Sequence, residues 1–177
     1  MGNAKKYILT SLTLGLIAAS GALLIAGTNM LTRGPIAEYE QKKISDGIIN
    51  IFGDNALVKE TNNIDSNTYT YVKVRYVIAD ENDAPLGYAF RTDGSNSYGK
   101  ISLIIGFNSN YDYKGLTVIT NEQSFATTLN KNYINLIKDG EKTVDDVSVS
   151  CGATYGATTV KEMVQEAKKA AEELAGV

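Results

Sequence analysis

The segment Ser150-Cys151-Gly152-Ala153-Thr154-Tyr155-Gly156-Ala157-Thr158-Thr159 gathers hydroxyls and the chain's single cysteine among Gly and Ala, just ahead of a helix-forming sequence. Small residues let a backbone come close to a ligand. A helix start presents N–H groups without helical partners and the positive end of a dipole, which together favour a phosphate or another anion. The residues alone leave two readings open: an anion-binding turn with Thr154 as its reactive hydroxyl, or a tight structural turn. Thr159-Val160-Lys161-Glu162 has capping-box spacing, so Thr159, or Thr158 beside it, has a structural task in starting the helix. Thr154 has no such task.

Little else in the chain offers chemistry. There is no His, no Trp and one Cys among 177 residues. That removes Ser-His-Asp and Cys-His catalysis and His-ligated metal sites. It also removes intramolecular disulfides, Cys-rich zinc sites and iron–sulfur clusters, and no metal site is expected. The formal net charge is −3, with no concentrated Lys/Arg face. Phosphate-backbone binding needs such a face, so nucleic acid is not an expected partner. Cys151 has two readings, a sulfur contact that tunes a ligand or a small buried core residue.

The elements that would position the turn begin with a membrane segment. No charged residue occurs from Tyr7 to Thr32, with Lys5 and Lys6 before the run and Arg33 after it. About 20 apolar residues span a bilayer core. Signal-peptide apolar regions are shorter, about 7–15 residues. The run also lacks a lipobox Cys and a convincing small-x-small cleavage site. An uncleaved single-pass anchor is therefore expected over a cleaved signal. Lys5, Lys6 and the amino terminus favour the cytoplasmic side, which places residues 34–177 outside the cytoplasm. Ala18, Ala22 and Ala26 share one helix face; such a row lets helices pack closely in lipid, and it also arises by chance in alanine-rich spans.

The domain at 34–177 follows the anchor at 1–33. Pro35 with Glu38 and Glu40 signals a helix start, and Ile36, Tyr39, Ile44, Ile48 and Ile51/Phe52 give it an apolar stripe. A break near Gly34-Pro35 and an end at Gly53-Asp54-Asn55 are expected, then a polar loop over Asn62 to Asn67. Strands are expected at Thr68–Ile78, Leu86–Arg91, Ile101–Phe107 and Gly115–Thr120 from their β-branched and aromatic content. A turn at Asp93-Gly94-Ser95-Asn96 separates the second from the third, whose continuous apolar run implies burial. Short turns between successive strands make an antiparallel meander. Ser124 to Ile137 is a short helix or irregular segment with Phe125, Leu129, Tyr133 and Ile137 four apart. Val144 to Val149 is a further short strand. Thr159 to Leu174 is an amphipathic closing helix. The fold class is α+β: one N-terminal transmembrane helix, a lead-in helix, a mostly antiparallel sheet and a C-terminal helix packed on it.

Cys151-Gly152-Ala153-Thr154, followed by Tyr155, resembles the flavinylation motif of the FMN-binding domain shared by RnfG and NqrC subunits of ion-pumping electron-transport complexes. That family carries Asp-x-x-Ser/Thr-Gly-Ala-Thr, and its last Thr is joined through a phosphoester to FMN by a dedicated flavin transferase. Cys151 stands here at the Ser/Thr position and Ser148 at the Asp position. Val160 and Val164 fall where the family's closing helix is apolar. A second Gly-Ala-Thr lies at Gly156-Ala157-Thr158, but the spacing to Val160 and Val164 fits only the first copy. Asn29 to Glu38 is similar to the join after the membrane helix of RnfG. Lys114 to Ile119 resembles the strand before the family's Glu-Thr-Pro-Gly-Leu-Gly loop, where this chain has Glu122-Gln123-Ser124-Phe125-Ala126-Thr127.

The resemblance implies covalent FMN on Thr154, with Cys151, Gly152, Ala153, Tyr155 and Thr158 around it. It places Tyr98, before Gly99-Lys100, under the flavin; Tyr98 also fits a packed strand-edge aromatic. The implied function is an electron-transfer subunit of an Rnf-type membrane ion-translocating oxidoreductase, a redox carrier rather than an independent catalyst. Its implied partners are the other membrane subunits, the flavin transferase during maturation, and lipid. Two alternatives are a stand-alone anchored flavoprotein passing electrons to a quinone or external acceptor, and a cofactor-free anchored binding module whose turn only caps a helix.

Overall fold

The helix-forming residues of the amino-terminal third build α1 (Gly2–Phe52) in the computed structural model. The structure describes residues 2–65 and 67–174, with side chains left out at 2–6, 8–10 and 21–37. Among the described residues no helix is long and apolar enough to cross a membrane. Much of the expected anchor, at 8–10 and 21–32, lies outside the side chains described. The break expected at Gly34-Pro35 is absent, and the helical backbone runs through it to Phe52. A proline removes one amide donor, and the strong helix formers that follow it, Ala37, Glu38 and Glu40, continue the turn. Gly53 ends α1 as expected, with φ +102° and its N–H donating to Ile49 O at 2.8 Å, a glycine C-cap. The chain divides into two compact units, Met1–Lys42 and Lys43–Val177.

Within the second unit, five strands form one antiparallel meander in the order β1-β2-β3-β4-β5. They are β1 (Leu57–Asn63), β2 (Val72–Ala79), β3 (Pro85–Asn96), β4 (Gly99–Asn108) and β5 (Tyr113–Asn121). The polar loop expected from Asn62 is partly strand, since β1 pairs Leu57 with Ala79 and Asn63 with Val74. Every β1 residue is exposed, so neither alternation nor an apolar run marks it. The turn expected at Asp93–Asn96 is instead paired backbone: β3 runs on to Asn96, which faces Gly99 across a two-residue turn. Gly99 takes φ +132° there, which favours glycine.

β4 is buried as expected, and the structure shows it buried on both faces. Ile101, Leu103, Ile105 and Phe107 point into the larger core, while Ile104 points into the smaller one. The smaller core closes against the last turns of α1, through Ile48, Ile51 and Phe52. Gly106 allows that contact, because a Cβ there would lie 2.5 Å from Ile51 Cγ2. The larger core closes against α4 (Thr154–Leu174) and a helical segment made of α2 (Ala126–Leu129), a π turn (Asn130–Ile134) and α3 (Asn135–Ile137). Leu129, Tyr133 and Ile137 are fully buried as their spacing implied, whereas Phe125 is half exposed and stands outside the stripe.

Residues Val144 to Val149 form no strand. Local bonds hold the backbone instead: Thr143 N and Oγ1 both donate to Asp146 Oδ2 at 2.8 Å, and Ser150 N donates to Ser148 Oγ at 3.2 Å. Such side-chain bonds compete with a strand ladder.

Candidate functional site

α4 begins at Thr154, five residues earlier than its apolar stripe suggested. Thr159 therefore does not cap the helix. It is buried in the second turn, where its hydroxyl donates to Tyr155 O at 3.0 Å and accepts from Asn96 Nδ2 at 3.0 Å. The first intrahelical bond runs from Ala157 N to Ala153 O at 3.0 Å. The amides of Thr154, Tyr155 and Gly156 precede it, and first-turn amides have no partner within an α-helix. Thr154 and Tyr155 are both exposed.

Two glycines shape this entry. Gly152 has φ +86°, the left-handed region, so the chain reverses there to enter α4. Gly156 faces the loop after β5: a Cβ would lie 2.5 Å from Gln123 Oε1 and 2.8 Å from Leu129 Cδ2. The missing side chain thus lets this loop lie directly on the first turn of α4.

The result is a cavity of about 300 Å³ lined by Gly152, Ala153, Thr154, Tyr155 and Gly156 on one side. Tyr98, Gln123 and Phe125 form the other side. The Tyr98 ring is central to its wall, with centroids 5.6 Å from Phe125 and 5.3 Å from Tyr155. Tyr98 sits in the β3–β4 turn, where its N–H donates to Asn96 Oδ1 at 2.8 Å. Its carbonyl accepts from Ser124 N at 2.9 Å, which ties the turn to the loop that carries Phe125. Among the described residues no charged side chain lines the cavity. Any anion held there would rest on the helix start and neutral donors.

Of the residues expected at a site, the structure brings together Gly152, Ala153, Thr154, Tyr155 and Tyr98. Cys151 and Thr158 are not part of the lining. Cys151 is half-buried against the larger core, with its carbonyl accepting from Asn132 Nδ2 at 3.0 Å. Thr158 lies in the second turn of α4. Sequence reasoning did not single out Gln123 or Phe125. The signal available was Phe125 itself, a large aromatic in an otherwise small, polar loop. Among the described residues no group of His, Cys, Asp or Glu is arranged to hold a metal ion.

The far half of α4 is fixed by carboxylates. Glu166 accepts from three successive backbone amides, Thr70 N at 3.0 Å, Tyr71 N at 2.6 Å and Val72 N at 3.0 Å. Tyr71 Oη donates to Glu162 at 2.7 Å and Tyr69 Oη to Glu173 at 2.6 Å. The Tyr71 phenol is raised to about 12 by its hydrogen bond to Glu162, then by burial. The Tyr69 phenol is raised to about 12 by burial, then by its bond to Glu173.

A family model described as the RnfG N-terminal region matches residues 1–46. The match supports an RnfG-type family for this chain and suggests a subunit of an Rnf complex. The RnfG family is generally flavin-binding. No curated protein matches the chain. The cavity lies wholly beyond the matched residues.

Proposed function

We infer that this RnfG-type chain is an electron-transfer subunit carrying FMN through a phosphoester on Thr154, within an Rnf-type membrane oxidoreductase. The observation that carries the reading is the position of Thr154, an exposed hydroxyl on the first residue of α4 at a cavity walled by three aromatic rings. In the phosphoester the Thr154 Oγ becomes the bridging oxygen. The phosphate would then lie at the amides of Thr154, Tyr155 and Gly156 and the positive end of a 21-residue helix, which favours negative charge.

The residues fit the group. Tyr98, Phe125 and Tyr155 offer ring faces to a flat heteroaromatic ring. Gly152 and Gly156 keep the helix entry clear of side chains. Bound flavin would supply the one- and two-electron redox chemistry, while the chain binds, orients and shields it. No proton-transferring side chain is needed from the protein.

The anchor belongs to the same reading. It rests on the uncharged run Tyr7–Thr32 and the flanking Lys5 and Lys6, with the second unit outside the cytoplasm. A covalent bond there keeps the cofactor from being lost to the surroundings. The match to an RnfG region favours membership of a complex over a stand-alone flavoprotein. The partners would be the other membrane subunits, with the flavin transferase acting during maturation.

The test is co-expression with the flavin transferase, followed by intact mass and in-gel flavin fluorescence. The wild-type chain and Thr158→Ala gain the mass of one flavin mononucleotide less water, and Thr154→Ala gains none. Flavin retained by Thr154→Ala sinks the assignment.

A further inference from the structure

Among the described residues Gln123 is the one polar side chain of the cavity that is buried, at 6 % exposed. Its place is set from three directions. Its N–H donates to Asn121 Oδ1 at 3.2 Å, its Nε2 donates to Gly99 O at 3.4 Å, and its Oε1 lies over the Cα of Gly156. The Nε2 bond is long and uses one of two amide hydrogens. Among the described residues nothing donates to Oε1. Oε1 is not among the partnerless polar atoms sealed from solvent, so the carboxamide keeps an acceptor and a donor open to a ligand. A largely buried carboxamide with its acceptor left open, set in an aromatic-walled cavity, is the arrangement of a recognition group.

The geometry points to Gln123 as the residue that selects a flavin ring by its pyrimidine edge, with Oε1 accepting from the ring N3–H and Nε2 donating to the adjacent carbonyl. A carboxamide carries one acceptor beside one donor, and so does an N3–H beside a carbonyl. The inference rests on the flavin reading above and adds to it a ring-recognition residue distinct from the attachment residue. The division of labour is clear: Thr154 holds the phosphate end, Tyr98, Phe125 and Tyr155 hold the ring faces, and Gln123 reads the ring edge.

The test separates ring recognition from attachment. The full chain, purified in detergent without the transferase, is titrated with riboflavin and with 3-methylriboflavin, which lacks the N3–H, by flavin fluorescence. Wild type binds riboflavin about tenfold more tightly than the methylated ring, the size expected for a hydrogen bond lost from a buried amide. Gln123→Leu, with its fold checked by thermal melting, binds the two flavins equally. Phe125→Ala, at a half-exposed position, weakens both and keeps the preference. Equal affinity of wild type for the two flavins, or no riboflavin binding, overturns the role of Gln123 and needs no variant to fold. Either result can coexist with covalent flavin on Thr154, so the two proposals fail separately.

Discussion

The two ends of α4 use polar side chains in opposite ways. Toward its carboxyl end, Glu162, Glu166 and Glu173 are each committed to a partner in residues 69–72. At its amino end, Thr154 is exposed and three first-turn amides precede the first helical bond. One end spends its polar groups on holding the helix to the sheet, and the other leaves them facing a cavity. A helix pinned at the far end can present its start to a ligand without moving, because the entropy of ordering has already been met by the clamp.

The sharpest way to break the comparison is to exchange the consequences of mutating the two ends. Thr154→Ala should abolish covalent flavin, read by intact mass, and leave the thermal melt within about 0.5 kcal/mol, as for a surface substitution. Glu166→Ala should do the reverse. Three backbone amides lose a charged acceptor, so chemical denaturation should show a loss of about 2 kcal/mol, while the folded fraction keeps its flavin. A flavin deficit in folded Glu166→Ala would mean that the two ends are not independent.

Gly152→Ala sharpens the amino end. A Cβ would meet Thr128 Cγ2 at 3.3 Å, on a backbone with φ +86°. Left-handed backbone costs a non-glycine residue about 1–2 kcal/mol. Denaturation should show that loss together with reduced flavin load, since the turn sets the position of Thr154.

The smallest effect is alkaline and belongs to the clamp. Tyr69 and Tyr71 are raised from 10.0 to about 12 in the folded chain. A group whose folded value is raised stabilises the fold fully below its unfolded value and loses that contribution as the pH climbs. Their contribution is therefore complete below pH 10 and declines between about 10 and 12. Melting temperature against pH should fall across that window, with a shallower fall in Tyr71→Phe.

The parts of the fold that could be read from residues share one trait, a periodic apolar signal. The β4 run and the stripe Leu129, Tyr133 and Ile137 were visible because large apolar side chains recur there. The parts that could not be read lacked it. β1 is exposed throughout and owes its pairing to the β2 edge. The first turn of α4 is built from Gly156, Ala157 and hydroxyl residues, which carry no stripe, so the sequence placed the start at Thr159. Val144 to Val149 shows the reverse error: its three valines suggest a strand, but Asp145 N donates to Thr143 Oγ1 at 3.3 Å and Ser150 N to Ser148 Oγ at 3.2 Å.

For the site, the sequence alone narrowed the candidate hydroxyls to the small-residue turn around Thr154, because the chain holds no His and one Cys. It also located the turn before a helix, since Gly and Thr there follow local conformational rules. Only the tertiary structure brought Tyr98, Gln123 and Phe125 from the β3–β4 turn and the loop after β5 to face that turn. Those contacts span long stretches of chain and depend on where a glycine permits close approach, as Gly156 does beneath Gln123. Local spacing fixes what one segment can become, but which distant segment meets it is decided by packing across the whole core.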